Sequence, residues 1–496
     1  MDWYSEELFC QNLPTKPRQD IGLILVTGAT GYIGGRLVPE LVARGYRVRI
    51  MVRSYSPDYK ERWPDAEVVA ADALNVGELK KALDGVSVAY YLIHSMLLGK
   101  KEFEIADIQA VTNFRFVAEE KKVKRIIYLG ALGKYHKGLS NHLKSRINVA
   151  EILSLSKIPV TILRAAIIIG SGSASYEIIE HLARNSPVFF LPSWAKTLCQ
   201  PISIRDVIKY LVGVLEIDET IGKSYDIGGD DIISYEDMIR VFAKILRKRR
   251  IFIRSPINNI KVFSYIASLL TPVPEPVISC LMEGVKNEVI CENIEIKKHL
   301  NFLTIHYKVA LLRALSREDH DKIYTRWSDS YPPAHELALK LSELNAPPRY
   351  ISSYSILSEK PKNTLFKSIC KIGGKEGWFH NNWMWRLRGL IDRIILGVGT
   401  SRGRRSASSL RINDVIDFWR VEDLVPDNRL LLRAEMKLPG RAWLEFRIGE
   451  ENNMNKISVN AYFQPRGISG RIYWYNFLPF HYIIFKDLLR QIVLRS

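Results

Sequence analysis

The sequence predicts an α/β domain with a doubly wound parallel sheet, followed by an α+β domain with an antiparallel sheet. Two patterns support this prediction. Apolar, β-branched runs alternate with helical segments in the first half, and short alternating strands dominate the chain after residue 350. The chain of 496 residues is also too long for one ordinary core, so two domains are expected.

The composition is typical of a folded globular protein, with 47% hydrophobic and 25% charged residues. The five cysteines are scattered and form no Cys-x-x-Cys pair, which predicts neither a disulfide framework nor a metal site. The first twenty residues contain four carboxylates and no apolar run, and are interpreted as an N-terminal extension (1–20) rather than a targeting signal. We therefore expect a cytoplasmic protein.

The net charge of +18 indicates a preference for acidic partners. From residue 350 onward there are 24 basic and 13 acidic side chains, so the excess is concentrated in the last part of the chain. Such a bias suits a nucleic acid, an anionic membrane surface, an acidic ligand or simply solubility. No nucleic-acid motif accompanies it, and no nucleic-acid partner is expected.

The first β-branched run, residues 21–27, leads into a glycine-rich turn and then a helical stripe. Strand, glycine turn and helix in this order predict a dinucleotide site, with the pyrophosphate at the helix N-terminus. The predicted cofactor-binding residues of this turn are Thr27, Gly28, Thr30, Gly31, Tyr32, Ile33, Gly34 and Arg36.

The second predicted strand, residues 47–52, ends in Arg53 and Ser54. An acidic residue there would bind the ribose 2′-hydroxyl of NAD, whereas an arginine accommodates the 2′-phosphate of NADP. The sequence therefore favours NADP(H) over NAD(H), although Arg53 is also compatible with a solvated surface position.

Further strands are predicted at residues 66–70, 86–93, 125–129 and 160–163, with helices between them. Asp72 follows the third strand and either reaches the adenine amine or caps the helix at 76–83. Ile93 and His94 end the fourth strand, at the edge where open α/β sheets bind ligands. Ala165 follows the sixth strand, in a segment that resembles the loop passing beside the nicotinamide in known dinucleotide-binding proteins. His94 faces the ribose or the substrate, or is simply a polar residue at a strand end.

These motifs resemble the atypical branch of the short-chain dehydrogenase/reductase superfamily, a Rossmann-type family, over residues 21–330. The resemblance implies a Ser/Tyr/Lys triad, which is absent here. The tyrosine position holds His142, the lysine position Arg146, and the serine position Gly130-Ala131-Leu132. Three interpretations remain: His142 acts as the acid or base next to Arg146, Tyr135 or His136 transfers the proton, or the dinucleotide is only structural or sensed.

The region 240–330 is predicted to be helical and to build the substrate side of a first domain that ends at residue 344; residues 345–350 form a linker. In the second domain (351–496) we predict a strand at 366–372, a tryptophan-rich helix at 378–395 and strands at 414–421, 430–437, 442–448 and 456–463. A closing helix follows at 472–493. This order resembles the helix-grip fold of the START and polyketide-cyclase superfamily, and also an uncharacterised domain fused to some bacterial atypical members.

The leading hypothesis is an NADP(H)-dependent oxidoreductase that acts on a hydrophobic or acidic small molecule. The rival hypothesis is a non-catalytic dinucleotide sensor with a ligand-carrying or partner-binding second domain. A third is peripheral membrane contact through the basic second domain and its aromatic closing helix. In that domain, the arginines of the loop at 397–409 either attract an anionic group or simply keep the loop solvated, and we expect the latter. Each single tryptophan is expected to be a core residue, whereas the tryptophans together are equally compatible with lining a hydrophobic ligand cavity.

Overall fold

A computed structural model describes most of the chain: residues 8–53, 55, 58–94, 102–133, 139–319, 325–330, 339–344, 346–373, 376–400, 402, 404 and 410–496. The chain divides into two compact units. Unit 1 contains Met1–Leu270 and Glu275–Pro333, and unit 2 contains Thr271–Pro274 and Ala334–Ser496.

Unit 1 is an alternating α/β structure. Its strands are β1 (Leu23–Val26), β2 (Val48–Val52), β3 (Ala66–Ala70), β4 (Val86–Tyr91), β5 (Arg125–Ala131), β6 (Val160–Ala165), β7 (Ile168–Ile169), β8 (Val188–Leu191), β9 (Leu198–Cys199), β10 (Ile202–Ser203), β11 (Ser224–Ile227), β12 (Ile233–Ser234) and β13 (Ile251–Arg254). Its helices are α1 (Gly34–Ala43), α2 (Asp58–Arg62), α3 (Val76–Ala82), α4 (Glu102–Glu120), α5 (Asn141–Ser154), α6 (Ala174–Asn185), α7 (Ile204–Leu215), α8 (Tyr235–Ile245), α9 (Ile260–Leu270), α10 (Glu275–Gly284), α11 (Ile296–His299) and α12 (Tyr307–Asp319).

Seven of these strands form one parallel sheet in the order β3-β2-β1-β4-β5-β6-β11. The strand order reverses between β1 and β4, the position where open α/β sheets bind ligands. Both faces are covered: Ile24 packs with Leu37 of α1, whereas Leu25 packs with Val111 of α4 on the other side. The predicted doubly wound sheet is confirmed, and β11 is a seventh strand that the sequence did not predict.

Before β1, the described residues 8–20 form no helix or strand but are fixed to the sheet-covering helices. The amides of Phe9 and Cys10 both donate to the buried carboxylate of Glu40 on α1, at 3.1 Å. Arg44, at the end of α1, donates to the carbonyl of Cys10 and forms a buried ion pair with Glu216, at 2.6 Å. The segment is thus part of the unit 1 core.

Unit 2 is built on one antiparallel sheet. Its strands are β14 (Tyr350–Ser358), β15 (Val415–Ile416), β16 (Trp419–Val425), β17 (Arg429–Ala434), β18 (Gly440–Glu451) and β19 (Met454–Pro465), and its helices are α13 (Lys362–Ile369), α14 (Asn382–Ile394) and α15 (Gly467–Leu494). The order of the sheet is β14-β19-β18-β17-β16-β15, and every neighbouring pair is antiparallel.

The antiparallel sheet is confirmed, but the predicted strand at 366–372 is wrong. Most of that stretch belongs to α13, because Leu365, Phe366 and Ile369 are buried at helical spacing. The predicted strand at 414–421 is two strands, since Asp417 adopts a positive φ of 55° between β15 and β16. Within the described ranges, no helix has the length and hydropathy needed to cross a bilayer.

The tryptophans of unit 2 are mainly core residues, as expected. The indole rings of Trp378 and Trp385 stack with centroids 4.0 Å apart, and Trp383 alone of the six is exposed, at 59%. The expectation of solvated loop arginines is wrong for Arg402, whose buried guanidinium donates to Glu435 at 2.7 Å. Arg420 and Arg433 pair with the same buried carboxylate, so one glutamate holds three buried guanidinium groups.

Candidate functional site

The glycine turn after β1 is packed too tightly for larger residues. Gly28 has a φ of +64°, and a Cβ there would lie 2.7 Å from the carbonyl oxygen of Leu92. A Cβ on Gly34 would lie 2.4 Å from the carbonyl oxygen of Gly28. The turn therefore folds back on itself and lies directly against the chain that leaves β4.

Thr27 ties this turn to β4. Its hydroxyl donates to the carbonyl of Tyr90 and accepts from the amide of Leu92, both at 3.0 Å. Because the buried hydroxyl already makes these two bonds, Thr27 positions the turn rather than offering a side-chain contact to a ligand.

The N-terminus of α1 offers hydrogen-bond donors. Its N-cap, Ile33, has no side-chain oxygen, and no capping hydrogen bond is formed. Within the described residues, the amides of Ile33 and Gly34 donate to no acceptor. Unsatisfied amides and the positive end of the helix dipole together fit a pyrophosphate. The half-buried backbone of Thr30, Gly31 and Tyr32 lines the same turn.

The two arginines predicted to contact the dinucleotide, Arg53 and Arg36, have different surroundings. Arg53 is exposed directly after β2, as an NADP-binding arginine requires, and Ser54 lies outside the described residues. Arg36 is half-buried: its guanidinium donates to the carbonyl of Ser171 at 2.8 Å and lies 4.8 Å from the ring centroid of Tyr32. Arg36 thus connects the start of α1 to the chain after β7.

Asp72 does not cap the helix that follows it. The cap of α3 is Asn75, which accepts from the amides of Gly77 and Glu78, while Asp72 accepts from the amide of Leu74 at 2.9 Å. Asp72 is half-buried after β3, and its contact with the adenine stays a prediction.

Beyond β4 lies a cluster of buried and half-buried polar groups, the histidine cluster: His94, His142, Arg146, Asp107 and Tyr128. The imidazole centroids of His94 and His142 are 5.1 Å apart. The guanidinium of Arg146 donates to Tyr128 Oη at 3.3 Å and to the carbonyl of Ile93 at 3.5 Å. The carboxylate of Asp107 lies 3.5 Å from His94 Nδ1 and accepts from Ser145 Oγ.

Both histidines of the cluster are neutral near pH 7. Burial lowers the pKa of His94 to about 4, and Arg146 adds to the effect. Burial, followed by the influence of His94 and Arg146, lowers the pKa of His142 well below its usual value. Among the described residues, His94 Nε2 and His142 Nδ1 have no hydrogen-bond partner, whereas His94 Nδ1 faces the carboxylate of Asp107. Buried, unpaired imidazole nitrogens are suited to hold a ligand.

The structure thus brings together His142, Arg146, Ile93 and His94, whereas Tyr135 lies outside the described residues. Ala165 is buried at the end of β6, where its carbonyl accepts from the amide of Leu132. The sequence reasoning missed Asp107 and Tyr128. A signal for Asp107 was available, because it falls in register with the buried face of α4, at spacings of four and seven from Val111 and Phe114.

Comparison with protein families assigns the first part of the chain. Residues 21–302, more than half of the chain, match the model of the NmrA-like family. The chain belongs to the NmrA-like family. The predicted NAD(P)-binding, Rossmann-like domain is confirmed at this level. Residues 346–488 match a second family, described as a protein of unknown function (DUF2867), and the helix-grip resemblance stays a prediction.

Several characterised proteins are similar to this NmrA-like chain. A divinyl chlorophyllide a 8-vinyl-reductase of Cucumis sativus is 24% identical over 253 residues, covering 47% of this chain and 59% of the relative. The NADH dehydrogenase (ubiquinone) 1 alpha subcomplex subunit 9 of Dictyostelium discoideum is 24% identical, covering 45% and 63%. The chain therefore spans about three fifths of the length of these relatives.

Among solved structures, the NmrA-like chain is similar to a nucleoside-diphosphate-sugar epimerase of Staphylococcus aureus, with a TM-score of 0.48, 17% identity and coverage of 58% of this chain and 99% of that chain. The Bordetella bronchiseptica enzyme WbmG in complex with NAD gives a TM-score of 0.49 and 13% identity, covering 63% and 98%.

Proposed function

We propose that the chain is an NADP(H)-dependent oxidoreductase that acts on a hydrophobic small molecule. One observation carries this proposal: the uncapped N-terminus of α1 and the histidine cluster lie along the same carboxyl edge of a parallel sheet. They are linked through β4, because Gly28 abuts Leu92 and His94 follows two residues later. An anion-binding turn beside a cluster of largely enclosed polar groups is a suitable arrangement for a dinucleotide and its substrate.

The residues that would hold the dinucleotide follow from their positions. The amides of Ile33 and Gly34 would bind the pyrophosphate, Asp72 the adenine, and Arg53 the 2′-phosphate that distinguishes NADP from NAD. Ile93 and Ala165 would line the nicotinamide end. When bound, the dinucleotide supplies a hydride.

The histidine cluster would bind and orient the substrate. A neutral imidazole donates or accepts one hydrogen bond but carries no extra proton to release at pH 7. His142 is therefore suited to polarise a carbonyl through its N–H, while its lowered pKa makes it a weak base. Arg146 keeps its positive charge, because Tyr128 and Asp107 raise its pKa against the effect of burial. A substrate with an oxygen or a carboxylate near an apolar body fits these groups.

Unit 2 would bind a hydrophobic ligand of its own in a helix-grip fold. The support for this is its aromatic character: α15 packs along β14 and β19, with Trp474 stacked on Tyr350 at 5.4 Å and on Phe463 at 5.8 Å.

The test is a titration of the purified protein with NADPH and with NADH, followed by turnover. We expect NADPH to bind more tightly and its absorbance to be lost in the presence of one or more apolar ketones or enones. A well-folded protein that binds neither dinucleotide would overturn the proposal.

The second candidate function is a dinucleotide sensor without catalysis. It is favoured by the absence of the triad side chains, since Gly130, Ala131 and Leu132 stand at the serine position. The same titration separates the two functions: tight binding of NADPH without turnover of any carbonyl or enone, and a thermal shift that depends on the redox state of the nucleotide, would favour the sensor.

A further inference from the structure

The long closing helix α15 has two apolar faces, and its own sheet covers only one of them. On the covered face, Trp474, Phe485, Leu488 and Ile492 are buried. They recur at intervals of three, four, seven or eleven residues, which keeps them on one side of the helix. This face accounts for the packing of α15 on β14 and β19.

On the opposite side runs an exposed apolar stripe, consisting of Ile468, Ile472, Tyr475, Tyr482 and Ile483. Its side chains are exposed by 74%, 57%, 61%, 54% and 51%. Their spacing places them on one face, extending over about four turns or roughly 22 Å of helix. Single exposed apolar residues are ordinary, but a continuous stripe of this length marks an interaction surface.

Basic side chains lie at both ends of the exposed stripe. Arg466 and Arg471 are exposed at the start of α15, and Lys486 and Arg490 are exposed after its last member. The one acidic residue of the helix, Asp487, accepts a hydrogen bond from Asn381 at 2.9 Å. The exposed face of α15 is therefore apolar in the middle and cationic at its ends.

We propose that α15 binds the surface of an anionic lipid bilayer through its exposed stripe. Isoleucine and tyrosine would enter the boundary between head groups and acyl chains, and the arginines and lysine would contact lipid phosphates. Tyrosine suits this depth because its ring is apolar and its hydroxyl is polar. Lys486 already lies over the ring of Tyr482, with Nζ 2.9 Å from Oη, so its charge is held close to the stripe.

A second copy of the chain is a less suitable occupant. Two stripes packed antiparallel would bring Arg466 and Arg471 of one copy towards Lys486 and Arg490 of the other, and like charges would repel. In parallel packing, each cationic end would meet the identical cationic end of the other copy. An anionic surface instead neutralises both ends.

The test uses the full chain and sedimentation with vesicles made of equal parts phosphatidylcholine and phosphatidylglycerol, with pure phosphatidylcholine vesicles in parallel. We expect binding to the anionic vesicles at low salt and loss of that binding at high salt. The double variant Ile472→Asn/Ile483→Asn should bind the vesicles at least about tenfold more weakly, because two apolar side chains that would enter the bilayer are lost.

The matched control is Leu155→Asn/Leu303→Asn, which changes two leucines of unit 1 that are exposed by 73% and 92%. This variant should bind vesicles like the unmodified chain. Equal losses in both double variants, or no vesicle binding at low salt, would overturn the proposal. So would a concentration-dependent dimer that only the α15 variant disrupts. Thermal unfolding of both variants checks that the fold is retained.

Discussion

The imidazole rings of His94 and His142 lie 5.1 Å apart, one in the chain that leaves β4 and the other in the first turn of α5. Both are neutral near pH 7, because burial lowers their pKa values. A pair of neutral histidines beside Arg146 can donate hydrogen bonds to an electron-rich ligand, and neither imidazole takes up a proton near pH 7.

Replacing His142 tests its role in the reaction. In the proposed oxidoreductase, His142→Ala should lower kcat by about 100-fold, the usual order for loss of a positioned acid, base or polarising group. The dissociation constant of NADPH should stay within about twofold, because His142 is not among the pyrophosphate donors. The exposed His380 provides the control, His380→Ala. Equal turnover by the two variants would remove His142 from the mechanism.

The stability of unit 1 should depend on His94 in mildly acidic solution. Its pKa is about 4 in the folded chain, against about 6.5 for an exposed histidine, so the unfolded state binds the extra proton between these values. The free energy of unfolding therefore has its full value above about pH 6.5. It decreases by on the order of 3 kcal/mol as the pH falls towards about 4.

Urea unfolding followed across this pH range measures the effect. His94→Asn should unfold with a weaker pH dependence than the unmodified chain, whereas His380→Asn should keep the original dependence. If the His94 variant kept the pH dependence of the unmodified chain, the imidazole of His94 would not be held in its neutral form by burial in the folded state.

Arg53 should decide the choice between NADP and NAD. Arg53→Asp places a carboxylate where the 2′-phosphate is expected, so NADPH should bind at least about tenfold more weakly while NADH binds equally or better. Arg47→Asp makes the same charge change at the exposed opposite end of β2 and is the matched control. Fluorescence titration of the bound nicotinamide checks both, and parallel losses of NADPH binding would indicate only a general effect of charge.

The glycine turn provides a test of the binding site that does not depend on turnover. Gly34→Ala would place a methyl group 2.4 Å from the carbonyl oxygen of Gly28, which forces the turn open. NADPH binding should fall by more than about tenfold. In Gly77→Ala the added Cβ meets its nearest neighbour at 3.4 Å, an ordinary contact, and binding should be retained. Tight binding by the Gly34 variant would place the dinucleotide elsewhere.

In unit 2 the critical charge is Glu435. The nearby guanidinium groups of Arg420 and Arg402 overcome the effect of burial and hold its pKa at about 2, so the carboxylate stays ionised throughout the neutral range. Glu435→Gln leaves buried guanidinium charge uncompensated and should cost about 3–5 kcal/mol of unfolding free energy. Glu450→Gln, at an exposed pair with Lys362, should leave the unfolding free energy nearly unchanged. Urea unfolding compares them, and equal stability of the two would contradict the compensating role of Glu435.

Six strands of the parallel sheet could be predicted because each is a largely apolar run set apart by helices, whereas β11 (Ser224–Ile227) is short and half polar. The periodicity does not distinguish a short apolar helix from a strand, and so α13, with Phe366 and Ile369 buried, was mistaken for a strand. β14 was missed because its polar residues, such as Ser353 and Ser355, hide the alternation, and its pairing with β19 is long-range. Pairing partners are not visible in local sequence.

The candidate site, like the fold, could be predicted only in part from the sequence. The glycine turn could be predicted from its sequence motif. The structure explains the motif, because a Cβ at Gly28 or Gly34 would clash with neighbouring atoms. The burial of Asp107 could be predicted from its register in α4. Its position near His142 could not, because Asp107 and Tyr128 are brought there from α4 and β5 by long-range folding. Likewise, no local signal distinguishes a buried arginine such as Arg402 from a solvated one.

The residues before β1 have a practical consequence for where this chain can be cut. The family match begins at residue 21, but Glu40 takes two of its hydrogen bonds from the amides of Phe9 and Cys10, and Arg44 donates to Cys10 and Thr15. A truncated chain starting at Ile21 would expose the apolar surface beneath Cys10 and Leu13 and leave Glu40 without these donors. The smallest autonomous version of unit 1 thus begins upstream of the homology boundary, and limited proteolysis should spare the segment from Phe9 to Thr15.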